Sequence, residues 1–164
     1  MKKLFLGIGT NLGERETNLK IALDMIVENI GLIVKLSSVY ESEPWGFISG
    51  NKFLNMVVEA ETELSPQEVL AAILIIESQM GRIRDDRGYS SRIIDIDILL
   101  YEDMVVDEVN LKIPHPLMHK RKFVLVPLCE IAPEVVHPVL EKSFSSLLNS
   151  CLDKTHVSKS NYLF

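Results

Sequence analysis

The chain is poor in cysteine, and its two, Cys129 and Cys151, stand at no spacing that suits a metal or a redox pair. Each reads as a reduced thiol in a core, with a disulfide between them the lesser alternative. Long apolar runs are missing as well, since none approaches the ~20 residues that a membrane helix needs. The opening Met1-Lys2-Lys3-Leu4-Phe5-Leu6-Gly7-Ile8-Gly9 has the basic start of a secretion signal but too short an apolar stretch, and its passage into Thr10-Asn11 suits a buried strand. A cytoplasmic protein with no membrane partner is therefore expected. Positive charge is also short: 17 Lys and Arg against 23 Asp and Glu leave a net charge of −6. That balance argues against nucleic acid as a partner, because counterion-driven affinity needs a positive field. Repeats, low-complexity stretches and linkers are absent, so residues 1–164 are expected to form one domain with its own core. No amphipathic element is left without a partner, which makes a monomer the default.

What is present is a regular alternation of elements. Lys2 to Gly9 reads as a strand. Glu14 to Ile30 reads as a helix, with Leu19, Leu23, Ile26 and Ile30 on one stripe and Gly31 ending it. Leu32 to Ser42 and Phe53 to Thr62 have strand character, joined by a loop rich in Pro, Gly, Ser and Asn. Ser65, Pro66 and Glu68 spell a capping box with Pro at the first turn, and Val69, Ile73, Ile76 and Met80 form the stripe that follows. Ile93 to Leu100 is a further strand. The order strand–helix–strand, strand–helix–strand predicts the α+β ferredoxin-like βαββαβ sandwich. A C-terminal extension should add a short hairpin around Met104 to Ile113 and a helix near Phe123 to Ile131. The architecture alone assigns no function.

The most informative segment is Arg92-Ile93-Ile94-Asp95-Ile96-Asp97-Ile98. In a strand, Asp95 and Asp97 share one face while the isoleucines fill the other, with the two Cα atoms roughly 7 Å apart. Such carboxylates can lean together around a pair of cations ~3.5–4 Å apart, and hard oxygen ligands suit Mg²⁺. A half-exposed strand that merely carries Asp on its wet face is the alternative. Just upstream, four arginines (Arg82, Arg84, Arg87 and Arg92) fall within eleven residues of an otherwise acidic chain. Guanidinium forks grip phosphate, so metals on one side and cations on the other suit polyphosphate chemistry. A solvated turn neutralised by Asp85 and Asp86 is the plainer reading. Arg92 has the opposite strand parity to Asp95 and reaches the same site only if the regular strand begins after it.

Gly7-Ile8-Gly9-Thr10-Asn11-Leu12-Gly13 lacks the spacing of a dinucleotide loop and has no Walker lysine, so it reads as a tight strand-to-helix turn. Pro114-His115-Pro116 holds a histidine in an extended segment, with Arg121 close behind and no Cys or His at zinc-like spacing. His115 and Arg121 are candidates to face phosphate.

Taken together, these motifs resemble the 6-hydroxymethyl-7,8-dihydropterin pyrophosphokinase family of folate biosynthesis. The resemblance runs through the Gly7–Gly13 segment, Phe53-Leu54-Asn55, Arg82-Ile83-Arg84, the Asp95–Asp97 strand, Ile113-Pro114-His115-Pro116, Arg121-Lys122-Phe123-Val124-Leu125 and Pro127-Leu128-Cys129-Glu130-Ile131-Ala132-Pro133. It implies pyrophosphate transfer from ATP to the hydroxymethyl pterin, by in-line attack at the β-phosphorus with release of AMP. It implies two Mg²⁺ ions held by Asp95 and Asp97, and an ATP site built from Arg82, Arg84, Arg92, His115 and Arg121, with adenine met by main chain near Ile98. Arg82, Arg92, Asp95 and Asp97 would be the catalytic set. The pterin would lie between Phe53 and Phe123, be read by Asn55, and meet main-chain groups of Ser42, Pro44 and Trp45. This chain departs from the family's pattern at Tyr89-Ser90-Ser91-Arg92, where many relatives have an aromatic followed by Gly-Pro-Arg, and at Glu43 and Trp45, where smaller or uncharged residues are common.

Overall fold

The computed structural model describes residues 1–83 and 90–164. The sheet is built from β1 (Lys2–Thr10), β2 (Leu32–Leu36), β3 (Tyr40–Ser42), β4 (Phe53–Thr62), β5 (Asp95–Tyr101) and β8 (Val157–Lys159), while β6 (Val106–Asp107) and β7 (Lys112–Ile113) form a separate small hairpin. Among the described residues four α-helices accompany them: α1 (Arg15–Asn29), α2 (Pro66–Gln79), α3 (Lys122–Ile131) and α4 (Phe144–Asn149). The main sheet runs β5-β1-β4-β3-β8, with β2 also on β4, and every pair is antiparallel. This is the ferredoxin-like sandwich with its C-terminal extension. Among the described residues no helix is long and apolar enough to cross a membrane.

The two faces of the sheet carry separate cores. Leu4, Leu6 and Ile8 of β1 and Ile96 and Ile98 of β5 join Leu19, Ile26, Ile73 and Ile76 of α1 and α2. On the opposite face Phe5, Val57 and Leu99 meet Leu125 and Leu128 of α3 and Phe144 and Leu147 of α4. Each such buried side chain contributes about 1.5–3 kcal/mol relative to exposure. The capping box of α2 is made in full: the Ser65 hydroxyl accepts the Glu68 N–H at 3.3 Å, and the Glu68 carboxylate accepts the Ser65 N–H at 2.7 Å. Both cysteines are free, and burial lifts the Cys129 thiol to about 11, which leaves it protonated.

Two expectations need correction. The stretch Leu32 to Ser42 is two strands, β2 and β3, laid end to end along β4. Between them Ser37 turns inward: its N–H donates to the Val57 carbonyl and its hydroxyl accepts the Val57 N–H, both at 2.9 Å. A side chain has replaced one rung of the ladder. Gly31 ends α1 for a different reason than a left-handed cap. A Cβ there would stand 2.2 Å from the Glu61 carbonyl oxygen, so the residue is glycine because β4 passes against it. Gly31→Ala should therefore lower stability by about 1–3 kcal/mol or more, read as a fall in the urea midpoint with an unchanged slope.

Candidate active site

A cavity of about 380 Å³ opens on the face of the sheet that α3 covers only in part. Its floor is a row across three strands. In the antiparallel register Gly9 of β1 stands opposite Asp95 of β5 on one side and Asn55 of β4 on the other, and Gly7 stands opposite Asp97. The glycines leave the floor bare, so the carboxylates and the amide face open space about two strand spacings, roughly 10 Å, apart. Gly9 cannot be larger without cost: a Cβ would meet Asn55 Oδ1 at 3.2 Å and Phe53 Cδ1 at 3.7 Å.

At the acidic end, Asp95 is held by two guanidinium groups. Arg82 Nη1 donates to Asp95 Oδ1 at 2.6 Å and Arg92 Nη1 to Asp95 Oδ2 at 3.0 Å. Arg92 gets there because β5 starts only at Asp95, so the strand-parity objection does not apply. Its backbone is latched by Asn11, whose side-chain oxygen accepts the Arg92 N–H at 2.7 Å and whose own N–H donates to the Arg92 carbonyl at 3.1 Å. The Gly7–Gly13 segment thus turns the chain and also holds an arginine of the cavity wall. Arg82 is braced from behind by Glu77 of α2 (2.5 Å), whose Oε1 also accepts the Ile96 N–H at 2.9 Å.

Asp97 is different. Its protein surroundings desolvate it and Asp95 repels its charge, which together push its carboxyl up to about 7 against the opposing pull of Arg121 and Arg92. His115 Nε2 stands 3.9 Å from it. Burial, with Arg121 nearby, pushes His115 down to about 4, so the imidazole is neutral at neutral pH. Its Nδ1 accepts the Leu117 N–H at 3.1 Å, which puts the ring proton on Nε2, toward the carboxylates.

The other end of the cavity is aromatic. Phe53 is buried and makes an edge-to-face pair with Phe47 at 6.1 Å. Asn55 donates through Nδ2 to the Ser42 hydroxyl at 2.8 Å. The Arg121 guanidinium lies over the Trp45 ring at 4.7 Å and near the Phe123 ring at 5.7 Å. A second cavity, about 280 Å³, is lined by Leu70, Ile98, Asn110 and Lys112 and shares Asp97, His115 and Pro116 with the first.

Of the residues expected from sequence, Ser42, Trp45, Phe53, Asn55, Arg82, Arg92, Asp95, Asp97, His115, Arg121 and Phe123 all line the first cavity, and Ile98 lines the second. Pro44 lines neither, and Arg84 lies outside the described residues, as do Asp85, Asp86, Arg87 and Tyr89. Glu77 and Asn11 were missed. Glu77 had a signal, because it falls on the buried stripe one turn after Ile73, where an acid needs a partner.

Among the described residues no three His, Cys, Asp or Glu side chains group to hold a metal. The protein therefore offers two carboxylates on one strand face, one of them short of positive charge. That donor set fits Mg²⁺, which binds through one or two carboxylates and takes its other ligands from substrate phosphate and water.

The model of the 7,8-dihydro-6-hydroxymethylpterin-pyrophosphokinase family matches residues 5–133. The 2-amino-4-hydroxy-6-hydroxymethyldihydropteridine pyrophosphokinase of Aquifex aeolicus is 44% identical over 142 residues, covering 87% of this chain and 88% of its own. That of Porphyromonas gingivalis is 43% identical over 141 residues, covering 84% and 95%. Among solved structures, a Plasmodium falciparum HPPK-DHPS superposes with a TM-score of 0.73 at 21% identity, over 91% of this chain. This chain spans 43% of that longer protein, and the likeness speaks for the fold.

Proposed function

The chain belongs to the 7,8-dihydro-6-hydroxymethylpterin-pyrophosphokinase family, and on that premise we propose that its two cavities, which share Asp97, His115 and Pro116, bring ATP and the pterin together for a Mg²⁺-dependent transfer. It is a transferase of folate biosynthesis that moves pyrophosphate from ATP to 6-hydroxymethyl-7,8-dihydropterin. The observation that carries the site assignment is the junction of the cavities at Asp97, His115 and Pro116. A triphosphate crossing that junction would have its nucleoside beside Ile98 and its β-phosphorus above the carboxylates.

In this reading the pterin ring stacks between Phe53 and Phe123, and Asn55, oriented by Ser42, reads its polar edge. The hydroxymethyl oxygen attacks the β-phosphorus in line, the bond from that phosphorus to the α,β-bridging oxygen breaks, and AMP leaves. Two Mg²⁺ ions at Asp95 and Asp97 would polarise the phosphoryl oxygens and acidify the attacking hydroxyl. Without ligands, Arg82 and Arg92 neutralise Asp95. Were Asp95 to hold a cation, Arg92 and the Glu77-braced Arg82 would stand within reach of phosphate oxygens. Arg121 and the Nε2–H of His115 add donors at the junction. Asp97 would take part in the loss of the hydroxyl proton through the cation it holds, which would also draw its carboxyl back down from the raised value. Residues 1–164 act as one domain, a reading supported by β8, which returns the C-terminal chain to the sheet that β1 begins.

The test is phosphorus NMR of ATP, Mg²⁺ and 6-hydroxymethyl-7,8-dihydropterin with the purified protein. AMP and a pterin diphosphate should appear together, and EDTA should stop both. ADP or free pyrophosphate would overturn the reading. Within it, Gly9→Ala should raise KM for the pterin about tenfold with little change in KM for ATP, because the added methyl displaces Asn55 and leaves the phosphate residues alone.

A further inference from the structure

α3 begins without a cap from its own flank, since Arg121 makes no side-chain capping bond. The first N–H groups of a helix need acceptors. That of Lys122 is taken by Asp153, far along the chain, through Oδ2 at 2.9 Å. The other carboxylate oxygen accepts the Thr155 N–H at 2.9 Å and the Thr155 hydroxyl at 2.6 Å, so the side chain is fixed from both ends. Burial alone would raise the Asp153 carboxyl, but these bonds hold it below the usual range, and a negative charge at a helix N-terminus is favourable. The residue after the capped one is Phe123, a wall of the first cavity.

Four residues further on, the same segment becomes β8. It pairs with β3 in the register Tyr40↔Lys159, Glu41↔Ser158 and Ser42↔Val157, and the Ser160 N–H donates to the Val39 carbonyl at 2.8 Å. Ser42 is the residue that orients Asn55. The two contacts are tied together by Glu130 of α3, which accepts from the Ser38 and Tyr40 hydroxyls, both at 2.7 Å, and stands 3.8 Å from Lys159 Nζ. All of Asp153 to Ser160 lies beyond residue 133, outside the stretch that the family model matches.

We propose that the segment 153–160 is the positioning element of the pterin subsite: Asp153 sets Phe123 through the first turn of α3, and β8 sets Asn55 through Ser42. The inference rests on the pterin reading given above. Asp153 is a positioning residue, since it stands behind the cavity wall and does not line it.

The test uses three full-length variants, Asp153→Ala, Asp153→Asn and Ser160→Pro, with KM for each substrate, kcat and the melting temperature. Asp153→Ala and Ser160→Pro should each raise KM for the pterin about tenfold and change KM for ATP less than about twofold. Asp153→Asn keeps one carbonyl acceptor for Lys122 and should recover most of the loss. Should Asp153→Ala fail to fold, Ser160→Pro reads the same split from the other end of the segment. Folded variants with an unchanged pterin KM, or with both KM values raised alike, overturn the proposal. Wild-type protein that forms no pterin diphosphate overturns the functional reading, and this inference with it.

Discussion

Asp97→Asn is expected to lower kcat about 10³-fold and at the same time to raise the melting temperature of the metal-free protein at pH 8. Both effects come from one cause. Desolvation by the cavity wall and the neighbouring Asp95 lift the Asp97 carboxyl to about 7 in the fold, against an ordinary value of 3.8, with the side chain still 36% exposed. Between those values the folded protein binds more protons than the unfolded chain, so stability falls as pH rises through the window and stays low above it. Asn carries no charge at any pH. In EDTA the variant and the wild type should therefore melt alike near pH 4, the gap should open as pH rises toward 7, and it should persist at pH 8. For a chain of this length each kcal/mol moves the midpoint by roughly 2–4 °C. A cation bound at Asp97 would offset that cost, so added Mg²⁺ should narrow the gap. Equal melting at pH 8, or turnover within tenfold of wild type, would remove Asp97 from this role.

Helices α1, α2 and α3 and four of the strands of the main sheet were legible because their signals are local, whereas α4 was not placed. The alternation through β5 and the Ser65–Glu68 box of α2 each need only a few consecutive residues, and the structure makes both. The split of β2 from β3 was not legible. Nothing in Ser37-Ser38-Val39 marks a break, which exists because the Ser37 hydroxyl reaches across to Val57. Nor does Val157-Ser158-Lys159 carry a strand pattern of its own; it is a strand because β3 offers it an edge.

The candidate site follows the same division. Asp95 and Asp97 could be paired from strand parity, and the family resemblance supplied Phe53, Asn55 and Phe123. Asn11 could not be read, because its task is to hold Arg92 across a gap of 81 positions in sequence. Trp45 was expected to contribute main chain; its ring also lies under the Arg121 guanidinium, at the aromatic end of the cavity. Arg84 and the loop variant at Tyr89 belong to the part of the chain outside the described residues.

Glu77→Ala should cost the fold about 3–5 kcal/mol by urea unfolding. The Glu77 side chain is 2% exposed, and its Oε1 alone receives both Arg82 and the backbone N–H of Ile96. Truncation takes one partner from the Arg82 guanidinium and leaves the Ile96 N–H without its acceptor, and each loss carries its own penalty. Glu77→Gln separates the two. The amide oxygen can still accept both hydrogen bonds but brings no charge, so it should cost about half as much, with the remainder belonging to the missing acceptor. The pair Glu77→Gln and Arg82→Met, measured singly and together, should show a coupling of at least ~1 kcal/mol, since the two groups touch. Glu77→Ala and Glu77→Gln should also raise KM for ATP, because Arg82 would keep its bond to Asp95 but lose the partner that braces it from behind. Additive costs, or a Glu77→Ala protein as stable as Glu77→Gln, would mean that α2 positions the Asp95 strand by packing alone and that the Glu77–Arg82–Asp95 chain of charges does not link helix to site.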